Sequence, residues 1–66
     1  MAAPILRYFV YDHLPEGILQ DVSARFAELA DDLDSILPQN AETSTALRKL
    51  LEAKDAAVRS ALDLLE

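Results

Sequence analysis

The stretch ALRKLLEAKDAAVR, residues 46–59, decides the fold of this chain. Its apolar residues recur at steps of three and four, which predicts one amphipathic helix. Four of the chain's six lysines and arginines also lie in it. Because the whole chain carries a net charge of −6, these cations either pair with acids along the helix or face an anion.

The helix containing this stretch is predicted to run from residue 41 to about 65, with Asn40 as its N-cap. One seam of the helix follows a regular four-three repeat through Leu47, Leu51, Lys54, Val58, Ala61 and Leu65. Lys54 therefore falls on an apolar seam. Two helices cannot close a core within one protomer, so we expect the second apolar stripe of this helix to be an assembly face.

A first helix is predicted from residue 16 or 17 to residue 36. A single stripe is formed by Ile18, Val22, Phe26, Leu29, Leu33 and Ile36, at the spacing typical of coiled coils. Pro38 ends this helix, because the residue before a proline is disfavoured in the helical region. The short connection predicts antiparallel neighbours. The expected fold is an all-α two-helix hairpin, assembled as a homo-oligomer.

An aromatic arm, residues 1–14, precedes the hairpin and is expected to be extended or short-helical. Phe9, Tyr11 and His13 alternate at period two, which suits an extended segment with one consistent face. Phe9 is expected in the core. Tyr11 either packs in the core or stacks on a nucleobase, and His13 more often starts a helix or forms a hydrogen bond than contacts a ligand.

Length and composition limit the classes of function. Sixty-six residues predict one domain, residues 1–66, whose core contributes roughly 3–5 kcal/mol. The chain has no cysteine and one histidine, so we expect neither a disulfide nor a metal site. Since 52% of the residues are hydrophobic, self-association is the remaining way to stabilise so small a fold.

Several other classes are not expected. No stretch approaches the roughly 20 apolar residues of a membrane span, and the start, MAAPILR, lacks the apolar core of a signal peptide. We therefore expect a cytoplasmic protein without a membrane partner. The acidity argues against duplex DNA but not against a small anionic ligand. With Gly17 as the only glycine and no serine in a tight turn, neither an enzyme nor a cofactor is expected.

Each basic residue of the two helices either pairs with an acid of its own helix or faces an anion. Helical spacing allows ion pairs of Arg48 with Glu52, of Asp55 with Arg59, and of Arg25 with Asp21 or Glu28. Lys54 on its seam either extends its ammonium to the surface or meets an anion at an interface.

The order of motifs resembles a known family. The matching segments are Phe9-x-Tyr11-x-His13-Leu14-Pro15, then VSxxFAELA at 22–30, Leu37-Pro38, and the helix at 46–59. Over residues 9–60 the chain is similar to the small phage proteins of the anti-CBASS sponge type. Their helical hairpin is shared with a class of Thoeris anti-defence proteins.

The resemblance implies a function. Such proteins are homo-hexamers that sequester cyclic dinucleotides such as cGAMP, and in some cases cyclic trinucleotides, in pockets between protomers in the host cytoplasm. It implies that Tyr11 stacks on a base and that Arg25 meets the phosphates. Arg59, and more weakly Lys54, would serve a second site, and His13 joins the candidate ligand-binding residues. The alternative is a helical protein-interaction module without a small ligand.

Overall fold

The computed structural model describes residues 4–11 and 17–65, and 88% of these are helical. In chain order the elements are a 3-10 helix, Pro4–Phe9; helix α1, Ile18–Ile36; helix α2, Ala41–Leu62; and a short 3-10 helix, Asp63–Leu65. No strand occurs within the described ranges. The prediction of two long helices joined by a short turn is confirmed.

The ends of α1 follow from local chemistry. Gly17 precedes the helix with φ at 132°, a conformation that side-chain-bearing residues rarely adopt. At the other end the Leu37 N–H donates to the Leu33 carbonyl at 3.0 Å, and Pro38 follows, so the predicted end at Ile36 is confirmed.

The turn and the start of α2 are joined by hydrogen bonds. The Asn40 side chain accepts from the Thr43 N–H at 2.9 Å, which confirms the predicted N-cap. The Thr43 hydroxyl donates to the Pro38 carbonyl at 2.7 Å. The α-helix ends at Leu62, earlier than predicted, because its last residues tighten into 3-10 geometry.

The overall dimensions show that the two helices lie side by side. The molecule measures 41 × 18 × 15 Å. A helix rises 1.5 Å per residue, so α1 and α2 placed end to end would measure about 60 Å. The chain therefore reverses at residues 37–40, and the helices are antiparallel neighbours.

The described part of the arm, residues 4–11, packs across both helices. Its first six residues form a 3-10 helix, Val10 and Tyr11 follow outside any helix, and His13, the last residue of the aromatic alternation, lies outside the described residues. Phe9 is only 2% exposed and joins Ala30 and Leu47 in the central cluster, so its assignment to the core is confirmed.

Helix α1 packs only part of its predicted apolar stripe against the central cluster. Its buried residues are the small Ser23 and Ala30. Leu29 is 45% exposed and Ile36 73% exposed, so the hairpin leaves this part of the predicted stripe uncovered. Periodicity defines a broad apolar sector, but α2 and the arm cover only part of it. None of the described helices is long and apolar enough to cross a membrane.

Candidate functional site

A cavity of about 260 Å³ lies between the arm and α1. It is lined by Leu6, Phe9, Val10, Tyr11, Ala27 and Asp31. The two α1 residues are one turn apart and share a face, and the arm forms the opposite wall. The cavity therefore exists only while the arm is packed on the hairpin.

Tyr11 lies at the edge of this cavity. Its side chain is half-buried, in contrast to the fully buried Phe9 two residues earlier. Tyr11 thus combines partial exposure with two apolar neighbours in the cavity lining, Leu6 and Val10. The geometry leaves Tyr11 able to stack on a ligand.

Asp31 gives the cavity its charge. Its carboxylate is exposed on the α1 side, and no cation lines this cavity. A phosphate placed here would be repelled, whereas an N–H group would find an acceptor. Asp31 could not be singled out from sequence, because its position matches the solvated acidic face of α1.

Lys54 contacts the protein itself. Its ammonium donates to the Tyr8 carbonyl at 2.9 Å and lies 3.7 Å from the Asp55 carboxylate, with 14% of the side chain exposed. The prediction of an apolar seam position is consistent with this low exposure. The bond to the arm is a third arrangement, beside the surface and the interface anion considered from sequence. We call it the Lys54 tether.

Arg25 and Arg59 lie away from the cavity within one protomer. Arg25 is exposed and lies about 200° around α1 from Ala27, on the opposite side of the helix. Arg59 is exposed in the last turn of α2. The structure therefore does not bring either guanidinium next to Tyr11 in a single chain, and His13 lies outside the described residues.

The ion pairs differ from the predicted ones. Across residues 4–11 and 17–65, the structure pairs Lys49 with Glu52 at 3.8 Å and Lys54 with Asp55 at 3.7 Å. Glu52 therefore pairs with Lys49 instead of its predicted partner Arg48, the preceding residue. The three arginines with predicted pairs, Arg25, Arg48 and Arg59, form no ion pair within the described part of the chain.

A second cavity, of about 300 Å³, lies where the arm meets the start of α2. It is lined by Pro4, Ile5, Ser44, Thr45 and Arg48. The Thr45 hydroxyl already donates to the Ala41 carbonyl at 3.0 Å. One exposed guanidinium beside two apolar residues is a mixed surface, which the sequence analysis did not identify.

The described residues include no metal-binding cluster and one buried hydroxyl without a hydrogen-bond partner. They contain no group of three or more His, Cys, Asp or Glu placed to hold a metal ion. Ser23 has a buried hydroxyl with no hydrogen-bond partner there, but at 1% exposure it is inaccessible to a substrate and has no base to activate it.

Comparison with protein-family models, with curated proteins and with solved structures found no match for this chain. The function proposed below therefore depends on the sequence resemblance and on the geometry of the described residues.

Proposed function

We propose that this protein is a non-enzymatic, self-associating sponge that sequesters cyclic oligonucleotides, cyclic dinucleotides above all, and so blocks CBASS signalling. The observation that carries the proposal is the position of Tyr11, half-buried at the edge of a cavity of about 260 Å³. This arrangement gives a planar ligand an aromatic surface and an apolar wall.

The cavity suits a nucleobase better than a phosphate. Leu6 and Val10 provide apolar surface on the arm side, and Ala27 leaves room on the helix side. The Asp31 carboxylate can accept a hydrogen bond from a ring or exocyclic N–H. Stacking of a base on an aromatic side chain contributes about 1–3 kcal/mol, which Tyr11 would supply here.

The phosphates require cations that one protomer does not place beside Tyr11. A neighbouring protomer could contribute Arg25 or Arg59, both exposed and both without an ion pair among the described residues. Guanidinium groups bind phosphate oxygens in pairs of hydrogen bonds. A site shared by symmetry-related protomers would offer each group twice, which matches a cyclic dinucleotide with two bases and two phosphates.

The exposed apolar surface supports self-association. The apolar residues that are buried in the described chain are Phe9, Ala30, Leu47 and Ala61. Large apolar side chains remain exposed at Tyr8, Val10, Leu29, Ile36, Leu62, Leu64 and Leu65. Association with further copies of the chain would cover such exposed apolar side chains.

Titration calorimetry with a panel of cyclic di- and trinucleotides tests the proposal. We expect binding of at least one cyclic dinucleotide, and a loss of about 5- to 150-fold in affinity in Tyr11→Ala. Tyr8→Ala is the matched control, because Tyr8 is 53% exposed and its ring contacts Arg7, with the guanidinium carbon 4.9 Å from the ring centroid.

Two results would contradict the proposal. Failure of the whole panel to bind the intact oligomer would exclude the sponge. Equal affinities for Tyr11→Ala and the unmodified protein would exclude stacking by Tyr11.

The interaction module remains the second candidate, favoured by the exposed leucines at the end of α2, which are Leu62, Leu64 and Leu65. A stable monomer whose melting temperature does not rise with any nucleotide would favour this function, since a ligand specific for the folded state raises its stability.

A further inference from the structure

Helix α1 carries an apolar stripe that the hairpin leaves uncovered. Val22, Leu29 and Ile36 are spaced seven residues apart, a spacing that places them along one line of a helix. Val22 is half-buried, Leu29 is 45% exposed and Ile36 is 73% exposed. We call these three residues the α1 stripe.

The α1 stripe lies on the side of the hairpin opposite to the arm. Ala30 is fully buried and clusters with Leu47 of α2 and Phe9 of the arm. With about 100° per residue, Ala27 and Asp31 lie about 60° and 100° to one side of Ala30, whereas Leu29 lies about 100° to the other side. Because the arm faces Ala27 and Asp31 across the cavity, it lies on the side of α1 away from the stripe.

Two opposite charges border the stripe on its outer edge. Arg25 and Asp32 are also seven residues apart, so they occupy the same edge, one near each end. Both are exposed, and neither forms an ion pair within residues 4–11 and 17–65. The Asp32 backbone carbonyl accepts from the Ser35 hydroxyl, which leaves its carboxylate unused by that contact.

We propose that the α1 stripe binds the α1 stripe of a second copy, antiparallel, across a two-fold axis at Leu29. This arrangement places Leu29 against the partner's Leu29 and Val22 against the partner's Ile36. In an antiparallel helix pair the same edges of the two helices face each other, so Arg25 meets the partner's Asp32, and the reverse pair forms by symmetry.

The charges select this orientation. A parallel pair would align each residue with its own copy, and neither charge would meet its opposite. The antiparallel pair forms two oppositely charged contacts beside a continuous apolar seam. The dimer therefore covers the exposed part of the α1 stripe and pairs Arg25 with Asp32.

The inference rests on the self-association in the proposed function and not on nucleotide binding. It also assigns Arg25 to the interface, which leaves Arg59, of the two arginines proposed above, to bind the ligand phosphates. The dimer would be the unit from which a larger assembly is built.

A single cysteine tests the two-fold axis without any ligand. The chain has no cysteine, and a disulfide requires Cα atoms within about 7 Å. We expect Leu29→Cys to form a covalent dimer rapidly under mild oxidation. Ser35→Cys, at an exposed position on another face of α1, is the matched control. If the two variants crosslink at equal rates, or if Leu29→Cys stays monomeric, the proposed interface is wrong.

Charge reversal tests the register independently. We expect Arg25→Asp and Asp32→Arg each to weaken the dimer on the order of tenfold in sedimentation equilibrium, because each creates two like-charge contacts. The double variant restores the opposite charges and should regain the original affinity. Additive loss in the double variant would overturn the Arg25–Asp32 pairing. The circular dichroism of each variant reports whether the fold is intact.

Discussion

We expect the Lys54 tether to hold the arm on the hairpin, and Lys54→Met tests this. Lys54→Met keeps the aliphatic stem in the seam but removes the ammonium that donates to the Tyr8 carbonyl at 2.9 Å. A hydrogen bond to a charged group contributes about 1.5–3 kcal/mol. The ammonium is mostly buried, with 14% of the side chain exposed, so its removal also recovers part of a desolvation cost. The net loss should be about 1–2 kcal/mol.

This loss of free energy should destabilise the packing of the arm and leave the hairpin unchanged. One to two kcal/mol changes an opening equilibrium by a factor of about 5–30. We therefore expect amide hydrogen exchange in residues 5–11 to accelerate by this factor in Lys54→Met, while the amides in the middle of α2 keep their protection. Heteronuclear NMR resolves the two groups of amides separately.

Lys49→Met is the matched control, since it removes the same charge from the same helix. Lys49 is 71% exposed and its pair with Glu52 spans 3.8 Å, so its loss should cost less than about 1 kcal/mol. If arm exchange is the same in both variants, the Lys54 hydrogen bond does not hold the arm, and the reasoning from burial and distance fails.

Two further predictions concern stability. Leu47→Ala should lower the free energy of unfolding by about 2–5 kcal/mol, because Leu47 is fully buried. Leu64 is 72% exposed, so Leu64→Ala should change the free energy of unfolding by less than about 0.5 kcal/mol. Similar urea midpoints for the two variants would contradict the described core. Asn40→Ala should cost about 0.5–2 kcal/mol in thermal unfolding, since it removes the acceptor for the Thr43 N–H; an unchanged melting temperature would show that the cap contributes nothing.

The helices could be predicted from sequence because their limits are local. Pro38 ends α1 and Asn40 begins α2 through contacts within a few residues. The burial of Phe9 also followed from its apolar character. The exposure of Leu29 and Ile36 could not be predicted, because it depends on the sector of α1 that α2 covers, and both sectors are apolar in sequence.

The candidate site was predictable only in part. The resemblance names Tyr11 as a ligand contact, which stays a prediction, and the cavity beside Tyr11 forms only when the arm packs on α1. Asp31 resembles every other acid of α1 in sequence. The Lys54 tether joins residues 46 positions apart, so no local sequence pattern predicts it. The roles of Arg25 and Arg59 remain predictions.

The acceptor in the Lys54 tether is a backbone carbonyl, which every amino acid provides. The attachment of the arm is therefore independent of the side chain at position 8, where Tyr8 is 53% exposed. Since the chain contains no tryptophan, a tryptophan placed there would be a unique fluorophore on an arm that is still fastened. Arm release and ligand capture could then be followed by the emission of that one residue.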